Sequence, residues 1–137
     1  MTRHIYPCRV RWSDVDRYGH VNNVKYFEYV QEARVAFMSA LAEDTLVDLR
    51  GGSTFVVARQ DVDYKRPILF RSEPYQIETV VTLVGTSSYH LQAEILDGDQ
   101  LLARARTVVV AFDQQSQRSR PLNEEERTAL HAVYDGT

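Results

Sequence analysis

The stretch RWSDVDRYGHVNNVKYFEYVQEARVAF, residues 11–37, decides the fold and raises the functional question with it. Its first half is polar and carries Asp14, Asp16, Gly19, His20, Asn22 and Asn23. Its second half changes period. Tyr26, Val30, Ala33, Phe37 and, just beyond, Leu41 recur at helical spacing, and Phe27, Ala36, Met38 and Ala40 widen the stripe. Lys25, Glu28, Glu32 and Ser39 are left as a narrow polar edge. A helix over residues 23–42 with so wide an apolar surface is enclosed by other structure on most sides. Asn22 or Asn23 suits its N-cap, because an asparagine oxygen accepts from a free helical N–H. The question is why so many polar groups crowd the start of a helix that is itself buried.

Outward from this stretch the pattern is strand-like. Residues 5–12 alternate, predicting a strand with Tyr6, Val10 and Trp12 inward, and the polar residues 13–22 with Gly19 form a loop. Gly51-Gly52 punctuates the chain. The next run, 54–64, alternates Val56, Ala58, Val62 and Tyr64, and Pro67 ends it. Tyr75, Ile77, Thr79, Val81 and Leu83 line one face of a further strand, and Tyr89, Leu91, Ala93 and Ile95 line another. Asp97-Gly98 predicts a tight turn into a last strand over 100–112, alternating Leu102, Arg104, Arg106, Val108, Val110 and Phe112. A polar, basic loop follows. LNEEERTALHAV then reads as a short terminal helix with a capping asparagine and an acidic first turn. The order is one strand, one long helix and four antiparallel strands. It predicts a single α+β domain over 1–137, a curved antiparallel sheet of about five strands wrapped around one long central helix.

Composition removes several function classes. A net charge of −3 gives no basic face for nucleic acid. No apolar run approaches membrane-spanning length, and the N-terminus lacks the continuous apolar region of a secretory signal. Cys8 is the only cysteine, which excludes an internal disulfide and a zinc thiolate cluster. The expected compartment is the cytoplasm. His4, His20, His90 and His131 are scattered with no ligand-like interval, so no metal is expected, and no phosphate-loop glycine pattern is present.

Residues 14–23 carry the remaining chemistry. One by one, Asp14, Asp16, Asn22 and Asn23 read as loop formers and caps, and His20 as a satisfied loop histidine. Together they suggest more. A helix N-terminus offers unpaired N–H groups and partial positive charge, which can hold a carbonyl oxygen and stabilise the anion formed during acyl transfer. A carboxylate a few residues upstream can then attack that carbon or activate water.

DVDRYGHVNNVKYFEYVQEAR, residues 14–34, resembles the signature of hotdog-fold acyl-CoA thioesterases of the 4-hydroxybenzoyl-CoA thioesterase type, in which an Asp-x-Asp-x-x-Gly motif precedes the buried helix. The resemblance extends over nearly the whole chain. HVNNVKY also resembles the plant acyl-carrier-protein thioesterases, a related hotdog group; Tyr18 stands where that group has asparagine. The resemblance implies Asp16 as the catalytic carboxylate, an oxyanion donor at or next to the backbone N–H of Asn23, and a site that includes His20 and Asn22. It places Ser88, Arg118 and Arg120 against coenzyme A, while Tyr26 is a candidate wall of the acyl pocket. The expected activity is hydrolysis of an acyl-CoA without cofactor. A hotdog hydratase or dehydratase and a non-catalytic acyl-CoA-binding module are the alternatives. The long apolar run 54–64, as a sheet edge, predicts a homodimer or a homotetramer built from it.

Overall fold

Alternating side chains become the strands of one antiparallel sheet, and the helical stripe becomes the long helix lying against it. The computed structural model describes residues 3–45 and 55–136. Its elements are β1 (Arg3–Cys8), a 3-10 turn (Trp12–Asp14), α1 (Lys25–Thr45), β2 (Phe55–Tyr64), β3 (Tyr75–Val84), β4 (Ser88–Asp97), β5 (Gln100–Asp113), β6 (Arg118–Ser119) and α2 (Glu124–Ala132). The strands stand in the order β1-β3-β4-β5-β2, and the two-residue β6 adds to the end of β5. β1 and β2 are therefore the edges. The expected Gly51-Gly52 break lies outside the described residues.

The helical stripe behaves as its spacing requires. Tyr26, Val30, Ala33, Phe37 and Leu41 are all buried, packed on Ile77, Ala93 and Ile95 at one end and on Val81, Tyr89 and Leu91 at the other. The helix is not simply central. Its backbone comes closest to β1 and β3, and a second helix, α2, closes against β3. The far edge, β2, is left with its inner face partly bare.

Three corrections concern strand faces. β1 ends at Cys8, and Trp12 is not inward: it is 72% exposed and meets Phe70 edge-on at 5.2 Å. Asp14 accepts from the Arg11 backbone and guanidinium, which folds residues 11–14 into a turn before the strand can continue. On β2 the register slips between Val57 and Arg59. The bulge moves every later side chain to the opposite face. Phe55, Val57, Gln60, Val62 and Tyr64 thus share the face of the buried Ala111, Val109, Thr107, Ala105 and Ala103 on β5, while Val56 points outward. A second shift, between Val81 and Leu83, likewise turns Leu83 out, after Tyr75, Ile77, Thr79 and Val81 have all been buried.

On β5 the inward set is small (Ala103, Ala105, Thr107, Val109 and Ala111), whereas the conspicuous Arg104 and Arg106 face outward. Arg104 pairs there with Glu94 at 2.8 Å, and Arg106 with Asp63 at 3.2 Å. The terminal helix starts as its sequence predicts. The Asn123 oxygen accepts from the Glu126 N–H at 2.8 Å, and the Glu126 carboxylate accepts from the Asn123 N–H at 2.9 Å, a reciprocal capping box.

Candidate active site

The predicted loop before α1 is a small hairpin. Val15 and Val21 bridge, the Asp16 N–H donates to the His20 carbonyl at 2.8 Å, and the Asn22 N–H donates to the Asp14 carbonyl at 2.9 Å. Val21 is buried, and its N–H donates to the Ile68 carbonyl, tying the hairpin to the segment after β2. Gly19 takes φ of +79° at the tip, a conformation that disfavours any residue with a Cβ.

The two acids of the motif have opposite surroundings. Asp14 is 1% exposed. It accepts from the Tyr29 hydroxyl at 2.7 Å and from Arg11 Nε and Nη2 at 3.2 and 3.1 Å, with Lys25 at 4.0 Å. Burial by itself would raise its carboxyl, but the hydrogen bonds from Arg11 and Tyr29 outweigh that and hold it below the usual carboxylate range. Burial and the bond to Asp14 push the Tyr29 phenol upward. Asp14 thus pins the hairpin to the first turns of α1. Asp16 is exposed at the hairpin tip. Its Oδ1 accepts from the backbone N–H of Tyr18 at 2.9 Å and of His20 at 3.2 Å. Among the described residues, Oδ2 accepts nothing.

The helix start also sorts its asparagines. Asn22 is the cap: its Oδ1 accepts from the Val24 N–H at 3.1 Å, and its carbonyl accepts from the Lys25 N–H. Asn23 gives its carbonyl to the Tyr64 hydroxyl at 3.0 Å and to the Tyr26 N–H at 3.4 Å. The N–H groups of Val24, Lys25, Tyr26 and Phe27 all have acceptors, whereas that of Asn23 donates to nothing among the described residues. An N–H of this kind, beside a helix N-terminus, is free to receive an oxyanion.

The other predicted site residues scatter. The His20 backbone meets Asp16, and its imidazole makes no hydrogen bond among the described residues. Tyr26, the candidate pocket wall, lies in the core. It is buried, accepts from the Ile68 N–H at 3.3 Å, and meets the Tyr64 ring edge-on at 4.8 Å. Ser88 holds the turn into β4 through its carbonyl, which accepts from the Gly85 N–H at 2.7 Å. Arg120 is engaged internally: Nη1 and Nη2 donate to the two Glu126 oxygens at 3.0 and 3.1 Å, and the guanidinium lies over Phe55. Its hydrogen bond and that from Asn123 overcome the burial of Glu126 and lower that carboxyl. Arg118 is exposed on β6.

These groups occupy opposite ends of the sheet. Tyr64, the last residue of β2, meets Asn23; Phe55, its first, lies beside Arg120. Ten residues of strand separate the two ends, about 30 Å. Sequence reasoning missed Arg11 and Tyr29 as the partners of Asp14, and Tyr64 as the residue seated on the helix start. The Tyr64 contact spans 41 positions and leaves no local pattern.

Comparisons with known proteins give the family of the chain. The profile of the thioesterase-like superfamily matches residues 10–130. An uncharacterized protein of Bacillus subtilis, YsmA, is 31% identical, over 89% of this chain and 82% of that protein. The long-chain acyl-CoA thioesterase FadM of Escherichia coli is 28% identical, over 91% and 95%. A thioesterase from Thermus thermophilus, solved with coenzyme A and zinc, superposes with a TM-score of 0.72 at 29% identity, covering 94% of this chain and 92% of that one.

Proposed function

The chain belongs to the thioesterase-like superfamily and is a thioester hydrolase, and from that premise we propose that it cleaves an acyl-CoA at the hairpin and helix start of residues 14–23. The observation that carries the reading is the Asn23 N–H at the head of α1, unpaired among the described residues, with the free Oδ2 of Asp16 on the adjoining hairpin.

The thioester carbonyl oxygen sits on the Asn23 N–H, which gains strength as that oxygen becomes an anion. Asp16 Oδ1 is occupied by two backbone donors, which fix the carboxylate plane and leave Oδ2 as the reacting oxygen. Oδ2 either attacks the carbonyl carbon, to be released by water in a second step, or takes the proton from an attacking water. Both routes expel the coenzyme A thiolate and end in the free acid. Asp14 keeps the hairpin in place and does not touch the substrate. Arg118 is the basic residue left to meet the nucleotide phosphates, since Arg120 is committed to Glu126.

The site is shared between two copies. Asp16 and Arg118 lie at opposite ends of β2, and β2 is an edge whose inward Val57 and Tyr64 are 43% and 47% exposed. Pairing two β2 edges antiparallel about a two-fold axis lays the Phe55 end of one copy along the Tyr64 end of the other, and covers that apolar face. Asp16 of one copy then works with Arg118 of the second. The test is thiol release from a panel of acyl-CoA esters by the wild-type protein and D16N, with sedimentation to give the assembly. The expected result is a loss of about 10²–10⁴-fold in kcat for D16N. Heterodimers of D16N with a β2-defective V57E subunit are expected to recover activity. Full activity of D16N, or of a monomer, overturns the assignment.

A further inference from the structure

The head of α1 is braced on both sides of Asn23. The peptide before it carries the N–H that has no acceptor among the described residues, and the oxygen of that peptide, the Asn22 carbonyl, accepts from the Lys25 N–H at 2.9 Å. In the peptide after it, the Val24 N–H donates to Asn22 Oδ1 at 3.1 Å. The Asn23 carbonyl of that second peptide has two donors. The Tyr26 N–H is remote, at 3.4 Å, because the first turn is tight and the Phe27 N–H goes to the Val24 carbonyl at 3.2 Å. The Tyr64 hydroxyl, at 3.0 Å, is the closer one. The firmer hold on this carbonyl therefore comes from the sheet and not from the helix.

The bulge in β2 is what aims Tyr64 at it. Alternation continued from Phe55 and Val57 would turn Asp63 inward and Tyr64 out; the slip between Val57 and Arg59 exchanges them and sets Tyr64 opposite the buried Ala103. The phenol is then held on each side. Its ring meets the buried Tyr26 edge-on at 4.8 Å, and the Tyr26 hydroxyl is itself fixed by the Ile68 N–H at 3.3 Å. Directly after Tyr64, the N–H groups of Lys65 and Arg66 both donate to the Leu102 carbonyl, at 2.9 and 3.0 Å, and tie down the strand end.

We propose that Tyr64 is a positioning residue for thioester hydrolysis, its hydroxyl holding the Asn23 carbonyl toward β2 so that the Asn23 N–H stays directed at the thioester oxygen. A carbonyl oxygen carries partial negative charge, and one free to turn toward the developing oxyanion would oppose it; a donor fixed before the reaction costs no reorganisation during it. Tyr64 itself touches no reacting atom. This rests on the reading of Asn23 as the oxyanion donor given above.

The test is Y64F, which keeps the ring on Tyr26 and removes the hydroxyl. The expected loss is about 10-fold in kcat with KM and sedimentation unchanged, between the worth of one hydrogen bond and the 10²-fold cost of an ångström of misplacement. The same substitution in N23P, where the N–H is already gone, is expected to leave kcat where N23P puts it. Nitrogen-15 relaxation reads the contact without turnover: the order parameters of the Asn23 and Val24 amides are expected to fall from about 0.85 to below about 0.6 in Y64F. Unchanged order and unchanged kcat in Y64F, with N23P slow, overturn the proposal and leave the oxyanion reading standing. Lowered order in Y64F with full kcat in both Y64F and N23P overturns the oxyanion reading and the positioning role with it. A fall in kcat without loss of order, an equal fall in the two backgrounds, or a change of assembly makes Tyr64 a structural anchor and overturns the proposal.

Discussion

Replacing Asp14 with asparagine separates the two acids of the motif, because the structure buries this acid among hydrogen bonds from Arg11 and Tyr29 and leaves Asp16 exposed. Its Oδ2 accepts from the Tyr29 hydroxyl and Arg11 Nε, and its Oδ1 from Arg11 Nη2. An asparagine carbonyl in the Oδ2 position keeps the first two bonds but sets its amide against Nη2, donor to donor. One bond to a charged group is lost, about 1.5–3 kcal/mol. The retained bonds weaken by about half on losing the negative charge. The Arg11 side chain is 64% exposed, so water recovers part of its loss. The sum is about 2–3 kcal/mol. With an unfolding entropy of about 2.1 cal/mol/K per residue over 137 residues, Tm falls by about 7–10 °C. The pH dependence follows from the lowered Asp14 carboxyl. Its contribution is complete above the unfolded-state pKa of about 3.9 and is lost as pH falls through the lower folded value. The gap in Tm between wild type and D14N is thus level from about pH 7 to 5 and closes below about pH 4. Thermal melts at fixed protein concentration, followed by circular dichroism across that range, measure it. An unchanged Tm, or a gap that widens toward acid, refutes the assignment. So does a fall in kcat larger than that of D16N.

Four further outcomes are expected. Asn23→Pro deletes the free N–H while suiting a first helical turn, so a folded variant loses about 10²–10³-fold in kcat; unchanged kcat assigns the oxyanion to another donor. R118A raises KM for an acyl-CoA without moving Tm and leaves a pantetheine thioester unaffected. R120A strands the buried Glu126 carboxylate and costs about 2–3 kcal/mol in melts, less than a fully buried pair because Arg120 keeps a quarter of its side chain in solvent; a reversal of these two effects exchanges their roles. His4 stacks on Phe37 at 5.4 Å with Nδ1 buried and, among the described residues, unpartnered, and burial lowers its pKa. Its neutral form is the folded one, so stability is complete above about pH 6.5 and declines as pH falls below it. H4F retains the stack and flattens that part of the Tm profile; identical slopes refute the role.

Whatever is periodic or local was legible in the residues alone. The stripe from Tyr26 to Leu41 required a buried helix, the alternation along Tyr75–Val81 and Tyr89–Ile95 required strands, and Asn123 with Glu126 required a helix start. Each depends on residues within a few positions of one another, where spacing alone chooses the backbone. The hairpin of Asp14, Asp16 and the asparagines was legible as a cluster for the same reason. Packing had to decide which face of β2 is inner, because a bulge at Val57–Arg59 reverses every later side chain and leaves no mark in the pattern. It also decided the fates of like residues. Asp14 and Asp16 differ in that Arg11 and, fifteen positions away, Tyr29 reach the first. Arg118 and Arg120 differ in that Glu126 closes on the second. The sequence shows that a carboxylate or a guanidinium is present; what it faces depends on packing between distant segments, and that contact divides a structural charge from one left free for a ligand.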